Sequence, residues 1–389
     1  MTDLPDHTDV LVVGAGPTGL VLGCVLASAN IPFVLVDRVT EGGNYSRAVG
    51  TLPRSLEMLD QVKLGKRLAD AGNHARRIKL FSGDRNRRIA ALQLHRLPTD
   101  YPYATVMPQH HAEEIILTRL RELGADVHRP VTLSGLTQDA AGATAVLRGP
   151  EGEERTVRAK YVVGADGSRS DVREQAGIDF PGTTFRQSFV LADMRLTDGP
   201  PANEIHLFFS RHGAVVMGHM PDDAYRVCIS VDHWPGSQLT GDQARELLEQ
   251  RSPNRYRPTI IQVLNSSRTL VHHRIATRFR SGRVLLAGDA AHTNSPIIGQ
   301  GMNLGMQDGI TLGNALVDTL SSGVDSLDAY ERVRRPIARE AVGITRLINR
   351  IGTERNRVVG LVRDSLLPIS GLPPVNRQMT NRLSRLVDR

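Results

Sequence analysis

Hydrophobic residues in this chain come in short runs that stop at glycine or aspartate. Asp9–Val13 is one such run, closed by Gly14. Its length and flanks predict a strand buried on both faces. Gly19 to Asn30 holds small and branched residues and predicts a helix. Pro32–Val36 is a second apolar run, ending at Asp37. Strand, helix and strand within about thirty residues make one βαβ unit.

The pattern then changes. Arg77–Phe81 and Arg88–Leu94 predict two strands joined at Ser82-Gly83-Asp84, a hairpin signal. A proline-bearing loop over Leu97–Met107 leads to a helix from Gln109 to Leu123, stopped by Gly124. Short strands are expected at Ala125–His128, Val131–Thr137, Thr144–Leu147 and Tyr161–Val163. Phe189–Leu196, Ile205–Phe209, Ala214–Met220 and Tyr225–Val231 follow with Gly, Pro and Asp between them, the pattern of an antiparallel sheet inserted into the first domain. Val284–Ala287 returns to the buried-strand pattern. Gly301–Leu320 predicts a long helix, Tyr330–Leu361 is mostly helical, and Pro368, Pro373 and Pro374 break the tail.

Composition narrows the class. A chain of 389 residues, 40% hydrophobic and 23% charged, suits a globular protein of two or three packed units. Met1–Asp9 is polar and acidic, so no secretory leader is expected, and no apolar run reaches the ~18 residues that span a bilayer. The cytoplasm is the expected location. Cys24 and Cys228 are expected to be separate buried thiols. The net charge of +7 is concentrated in residues 330–389, where 13 Arg against 5 acids give a surplus of 8. No aromatic residues interleave those arginines, so the segment reads as an amphipathic helical tail and no nucleic-acid partner is expected.

Gly14-Ala15-Gly16-Pro17-Thr18-Gly19 has the G-x-G-x-x-G spacing between strand and helix. Gly14 permits the tight turn, Gly16 lets backbone N–H groups approach a pyrophosphate, and Gly19 brings helix and strand together. Asp37, followed by Arg38, is placed to accept the ribose hydroxyls of an adenosine. The motif alone leaves FAD and NAD open. Two further segments follow strands: Gly164-Ala165-Asp166-Gly167-Ser168-Arg169-Ser170, and Gly288-Asp289-Ala290-Ala291-His292 with Pro296 and Gly299-Gln300-Gly301-Met302-Asn303.

With those three motifs in that order, nearly the whole chain resembles the flavin-dependent aromatic hydroxylases of the p-hydroxybenzoate hydroxylase type, the group A flavoprotein monooxygenases. Ser46-Arg47-Ala48 and Gln109 match further FAD-contacting positions of that family. The resemblance implies an α/β protein, α+β overall: a Rossmann-like FAD/NAD(P)-binding domain, an inserted and mostly antiparallel substrate sheet, and a helical C-terminal region. It divides the chain into FAD-binding parts at 1–75, 99–180 and 269–325, substrate-domain parts at 76–98 and 181–268, and a helical region at 326–389. It assigns Asp289 to the ribityl hydroxyls, Gly288, Pro296, Gly299, Gly301, Met302 and Asn303 to the flavin side of the site, and Asp166 and Arg169 to FAD or nicotinamide contact, with a structural Asp–Arg pair as the other reading. The start of the Gly301–Leu320 helix would stabilise negative charge on the reduced ring.

The chain has no second βαβ fingerprint, so NADPH or NADH is expected to bind transiently. The implied activity is monooxygenation of a phenolic, indolic or polycyclic aromatic molecule with O2, in antibiotic or other natural-product tailoring. Epoxidation, Baeyer–Villiger ring expansion, antibiotic inactivation and sequestration without turnover are the alternatives. Monomer and homodimer are both compatible with the sequence, and no catalytic acid or base can be assigned. On the Ile205–Phe209 strand one face is wholly apolar and suits a core. The other, with His206 and Phe208, is expected to line the substrate pocket together with Pro296, and Tyr101 and Tyr103 are weaker candidates. His110-His111 and His272-His273 lack metal-ligand spacing and are expected to be surface or capping residues.

Overall fold

The computed structural model describes residues 4–40, 50–232, 234, 238–352, 360, 364, 365, 368 and 372–384. Two large sheets organise them. The first runs in the order Arg280–Ser281, Val284–Leu286, Glu154–Gly164, His7–Val13, Phe33–Val36, with the hairpin Thr132–Gln138/Ala143–Arg148 added antiparallel to Glu154–Gly164. Its central strands are parallel, and their carboxyl halves, Val10–Val13, Tyr161–Val163 and Val284–Leu286, are apolar and buried because helices cover them. Val13 lies opposite Gly164, and Gly164 opposite Leu286. Three parallel strands therefore end at one level. Gly14, Ala165-Asp166 and Gly288-Asp289 emerge together at the carboxyl edge, where open α/β sheets bind ligands.

The helix Pro17–Ser28 lies against Gln300–Ser322. Contact is made through glycines at every fourth residue. A Cβ on Gly309 would stand 2.7 Å from the Thr18 carbonyl, one on Gly313 2.7 Å from Val25 Cβ, and one on Gly305 would collide with Thr18 Oγ1. This spacing places one bare stripe along the helix.

The second sheet has eight strands, in the order His292–Thr293, Thr259–Ile275, Gly182–Thr197, Tyr225–Val231, Gly213–His219, Glu204–Ser210, Arg77–Ser82, Arg87–Gln93. All its neighbours are antiparallel except Glu204–Ser210 with Arg77–Ser82. Both faces are buried over its centre. One carries Phe189, Leu191, Ile205, Leu207, Phe209 and Val216 and packs with Leu52, Val106 and Ile297 of the first domain. The other carries Phe81, Phe208, Val215, Met217 and Ile229 and packs under Ala244 and Leu248 of the helix Gly241–Arg251.

Three differences from the sequence reading have physical causes. No strand forms at Ala125–His128; only an isolated bridge joins His128 to Val36. The helix Gly241–Arg251 was not anticipated, although Thr240 and Gln243 make a capping box that marks its start. The 17-residue strand Thr259–Ile275 was also missed, because it is half exposed and has no clean alternation; it runs through the boundary drawn between 268 and 269. Cys24 and Cys228 are buried and unpaired. Among the described residues, no helix is long and apolar enough to cross a membrane.

Candidate active site

The strand ends open onto a groove of about 620 Å3, continuous with a smaller one of about 230 Å3. Both are lined by Gly16, Arg38, Asp166 and Gly167. The smaller holds Gly14 and Asp37; the larger holds Pro17, Thr18, Gln109, Arg169, Asp289, Pro296, Gly299, Gly301 and Met302. Apart from Gln109, which opens a helix, these residues come from four separate stretches that share one surface because their strands end in register.

Asp37 Oδ2 accepts from Ala15 N at 2.6 Å and Oδ1 from Val39 N at 2.9 Å. A carboxylate has about four acceptor sites, so half its capacity holds the glycine turn and half is left for a ligand. Gly14 has φ +104°, and a Cβ there would collide with the Ala165 carbonyl. Gly16 differs: its φ is −74° and a Cβ on it would meet nothing within 4 Å. Gly299 and Gly167 are open in the same way, though both have positive φ. The protein itself gives no packing reason for a bare Gly16. A phosphate brought against the N-terminus of Pro17–Ser28 does.

Asp166 supplies the second observation. Oδ2 accepts from Val172 N at 3.1 Å, while Oδ1 is buried with no partner among the described residues. Burial raises its pKa despite the Ser170 and Val172 hydrogen bonds. An orphaned carboxylate oxygen and an unfilled glycine cradle in one groove fit a polyol- and phosphate-bearing ligand such as FAD. No Asp166–Arg169 ion pair is formed among the described residues. Arg173 ties the motifs together instead, donating to Ser168 O and Ala290 O and lying 4.0 Å over the Phe180 ring.

Gly19 and Gly288 sit beneath the groove. A Cβ on Gly19 would overlap the Gly14 carbonyl, and one on Gly288 would lie 2.5 Å from Thr18 Oγ1. Gly288 N donates to Asp308 Oδ2 at 3.1 Å. Asp308 is fully buried and also binds His292 Nε2 and Arg334 Nε, each at 2.6 Å. Burial pushes its carboxyl up, but Arg334 and His292 outweigh this and hold it below the usual range. Sequence reasoning missed this cluster, whose members lie far apart in the chain.

Asn303 needs correction. Its side chain is fully buried: Oδ1 accepts from Leu52 N at 2.7 Å, and Nδ2 donates to Gly50 O and Gly299 O. It clamps the chain around the helix start and leaves no side-chain group for a cofactor. Arg47 lies outside the described residues. Glu113 and Arg129 line the groove without having been anticipated. The i,i+4 spacing of Gln109 and Glu113, which are bonded at 2.8 Å, was the available signal.

His206 and Phe208 do not line the described groove. Both point away from the first domain. His206 Nε2 is 3.0 Å from Glu204, Glu204 is 2.6 Å from Lys79, and Phe208 stacks on Phe81. The mixed composition of that face satisfies a buried ion cluster and does not make a pocket. The apolar face, with Ile205, Leu207 and Phe209, shares its core with Ile297 of the Pro296–Ile298 turn. Tyr101 donates to Asp60 at 2.7 Å and Tyr103 stacks on His74, so neither lines the groove. Phe208→Ala should therefore cost about 3–5 kcal/mol of stability and leave substrate KM unchanged. Denaturant melts beside steady-state kinetics would check this; a KM change at full stability would restore the pocket assignment.

A βαβ glycine cradle, a carboxylate at the end of its second strand and a second sheet roofing the groove define a dinucleotide-binding protein. Residues 7–345 match the model of the FAD binding domain family, and the chain belongs to that family. It is 34% identical to the 12-dehydrotetracycline 5-monooxygenase/anhydrotetracycline 6-monooxygenase of Streptomyces rimosus, over 97% of this chain and 76% of that one. It is 32% identical to a rifampicin monooxygenase of Streptomyces venezuelae, over 97% and 78%. The solved p-nitrophenol 4-monooxygenase PnpA of Pseudomonas putida DLL-E4 superposes with a TM-score of 0.86 at 26% identity, covering 98% of this chain and 99% of that one. The chain is an FAD-dependent monooxygenase of the aromatic hydroxylase type, with NAD(P)H as the family's reductant.

Proposed function

We propose that this monooxygenase hydroxylates a polycyclic phenolic molecule held between the flavin and the Ile205/Leu207/Phe209 face of the eight-stranded sheet. The observation that carries the proposal is the shared core of that face with Ile297, one residue beyond the groove-lining Pro296. The tetracycline-type relative supports the substrate class.

FAD, when bound, supplies electron transfer from NAD(P)H to O2 and delivery of one oxygen atom to the ring. The chain's part is placement. Gly14, Gly16 and Gly19 with Pro17 and Thr18 would receive the pyrophosphate, Asp37 and Arg38 the adenosine, and Asp166 and Asp289 the polyol. Pro296, Gly299, Gly301 and Met302 would face the ring. The N-terminus of the 23-residue helix Gln300–Ser322 carries roughly half a positive charge toward that end and favours negative charge there. The apolar sheet face keeps water from the reacting atoms. Asp289→Ala should lower FAD affinity about tenfold, the worth of one lost charge-assisted hydrogen bond; purification with full flavin occupancy would contradict it.

The substrate class is tested by a screen of simple phenols and fused-ring phenols that reads NAD(P)H oxidation together with product structure by NMR. Hydroxylated fused-ring product with coupled consumption supports the reading. Turnover confined to single-ring phenols contradicts it. Similarity to a rifampicin monooxygenase favours a second reading, antibiotic inactivation, which predicts products without antibacterial activity.

A further inference from the structure

His273 was expected to be a surface or capping residue, and it is buried, with 3% of its area exposed. It lies on the strand Thr259–Ile275 two residues after Val271, which belongs to the core of the flavin-side face. Its ring meets Phe185 edge-on at 4.7 Å between centroids, and Phe185 packs against the same core. Neither ring nitrogen has a partner among the described residues. Buried polar atoms are nearly always paired, and an unpaired one is costly.

The neighbouring strand adds to this. His292–Thr293 pairs with Arg274 and Ile275, so Thr293 and Asn294 follow directly beside His273's strand. Thr293 Oγ1 and Asn294 Nδ2 are also buried and unpaired. Both residues line the 620 Å3 groove, as does His272, next in sequence to His273. Asn294 Oδ1 stands 3.3 Å from where a Cβ on Gly301 would lie, at the start of the long helix. Thr293 and Asn294 thus carry unmet polar groups on the groove wall, and His273, on the core side of the strand beside them, carries two more. Burial, with Arg346 and His272, pushes the imidazole down to about 4. The ring is therefore neutral near pH 7, with one nitrogen donating and the other accepting.

We propose that His273, supported by Thr293 and Asn294, is the polar anchor that binds a hydroxyl or carbonyl oxygen of the aromatic substrate and sets which ring faces the flavin. This rests on the hydroxylase reading above. It makes His273 a specificity-determining residue, and it predicts an inversion of the usual mutational outcome: a side chain that serves the fold loses stability when replaced, while an orphaned polar side chain kept for a ligand gains it.

The test uses the FAD-loaded protein and His273→Leu and His273→Gln variants. Thermal melts without substrate should show His273→Leu a few degrees more stable than wild type; an equal or lower Tm overturns the proposal. Anhydrotetracycline, as a fused-ring phenolic probe, is then titrated against the rate of flavin reduction by NAD(P)H. Half-saturation should shift about tenfold in His273→Leu and partly recover in His273→Gln. Equal half-saturation in wild type and His273→Leu overturns the proposal. If no aromatic probe accelerates reduction of the wild type, the hydroxylase reading itself has failed, and the melts alone decide whether His273 is a structural residue.

Discussion

Replacing Arg334 with Met should destabilise the protein by about 3–5 kcal/mol, because it strands a carboxylate in the core. Arg334 Nε lies 2.6 Å from Asp308 Oδ1, and Asp308 is wholly buried. The remaining partners are His292 and the Gly288 N–H. Arg334 also donates to Leu304 O and Gln307 Oε1, and those two bonds are lost with it. The effect should reach the site, since Asp308 holds the turn that presents Asp289. The pH dependence has a definite sign. The folded-state pKa of Asp308 is depressed below its unfolded value. Its contribution is present above the ordinary aspartate pKa of about 3.9 and is lost as pH falls through the folded-state value. Urea melts between pH 7 and pH 3 should show wild type and Arg334→Met converging at the acid end. A variant within about 1 kcal/mol of wild type at pH 7 would show that the cluster is not a stabilising unit.

Gly16→Ser should separate folding from cofactor binding. The backbone at Gly16 is ordinary, a Cβ there touches nothing, and serine is a favoured helix N-cap. Stability without FAD should be unchanged or slightly raised. FAD affinity should fall about a hundredfold, roughly 3 kcal/mol, because the side chain occupies the place of the pyrophosphate. Gly14→Ala should behave in the opposite way. With φ +104° and the Ala165 carbonyl in its path, it damages the fold itself. Fluorescence titration with FAD beside thermal melts distinguishes the two. Wild-type FAD affinity in Gly16→Ser would remove the pyrophosphate from this turn.

Much of this arrangement was legible in the sequence wherever local pattern and physical constraint coincide. Asp9–Val13, the glycine turn and Asp37 form a unit whose chemistry depends on backbone geometry, so a few residue types specify it. Asp289 was legible for the same reason: it follows a strand that must end at the sheet edge. What escaped depends on partners distant in sequence. The mixed face of Glu204–Ser210 suggested a pocket, yet Lys79 and Phe81 on the neighbouring strand and the helix Gly241–Arg251 cover it. Asn303 suggested a cofactor ligand, yet Gly50 and Leu52, some 250 positions earlier, claim its side chain. His273 gave no metal spacing and was set aside; its burial depends on Phe185 and on the sheet's outermost pairing.

The same two sheets explain why catalysis and specificity separate in this fold. The parallel sheet fixes the cofactor through strand ends and helix N-termini. Under the proposed placement of the substrate, the eight-stranded sheet is a replaceable apolar wall, so changes at Leu207, Phe209 or His273 should alter substrate choice without disturbing the glycine cradle.

The most direct test of this account mixes the purified, FAD-loaded protein anaerobically with NADPH or NADH, with and without a fused-ring phenol, then admits 18O2. Flavin absorbance should bleach faster when the phenol is present, and one 18O atom should enter the ring of the product. A bound flavin that neither nicotinamide reduces in the presence of any phenol, or a product whose new oxygen comes from water, would contradict it.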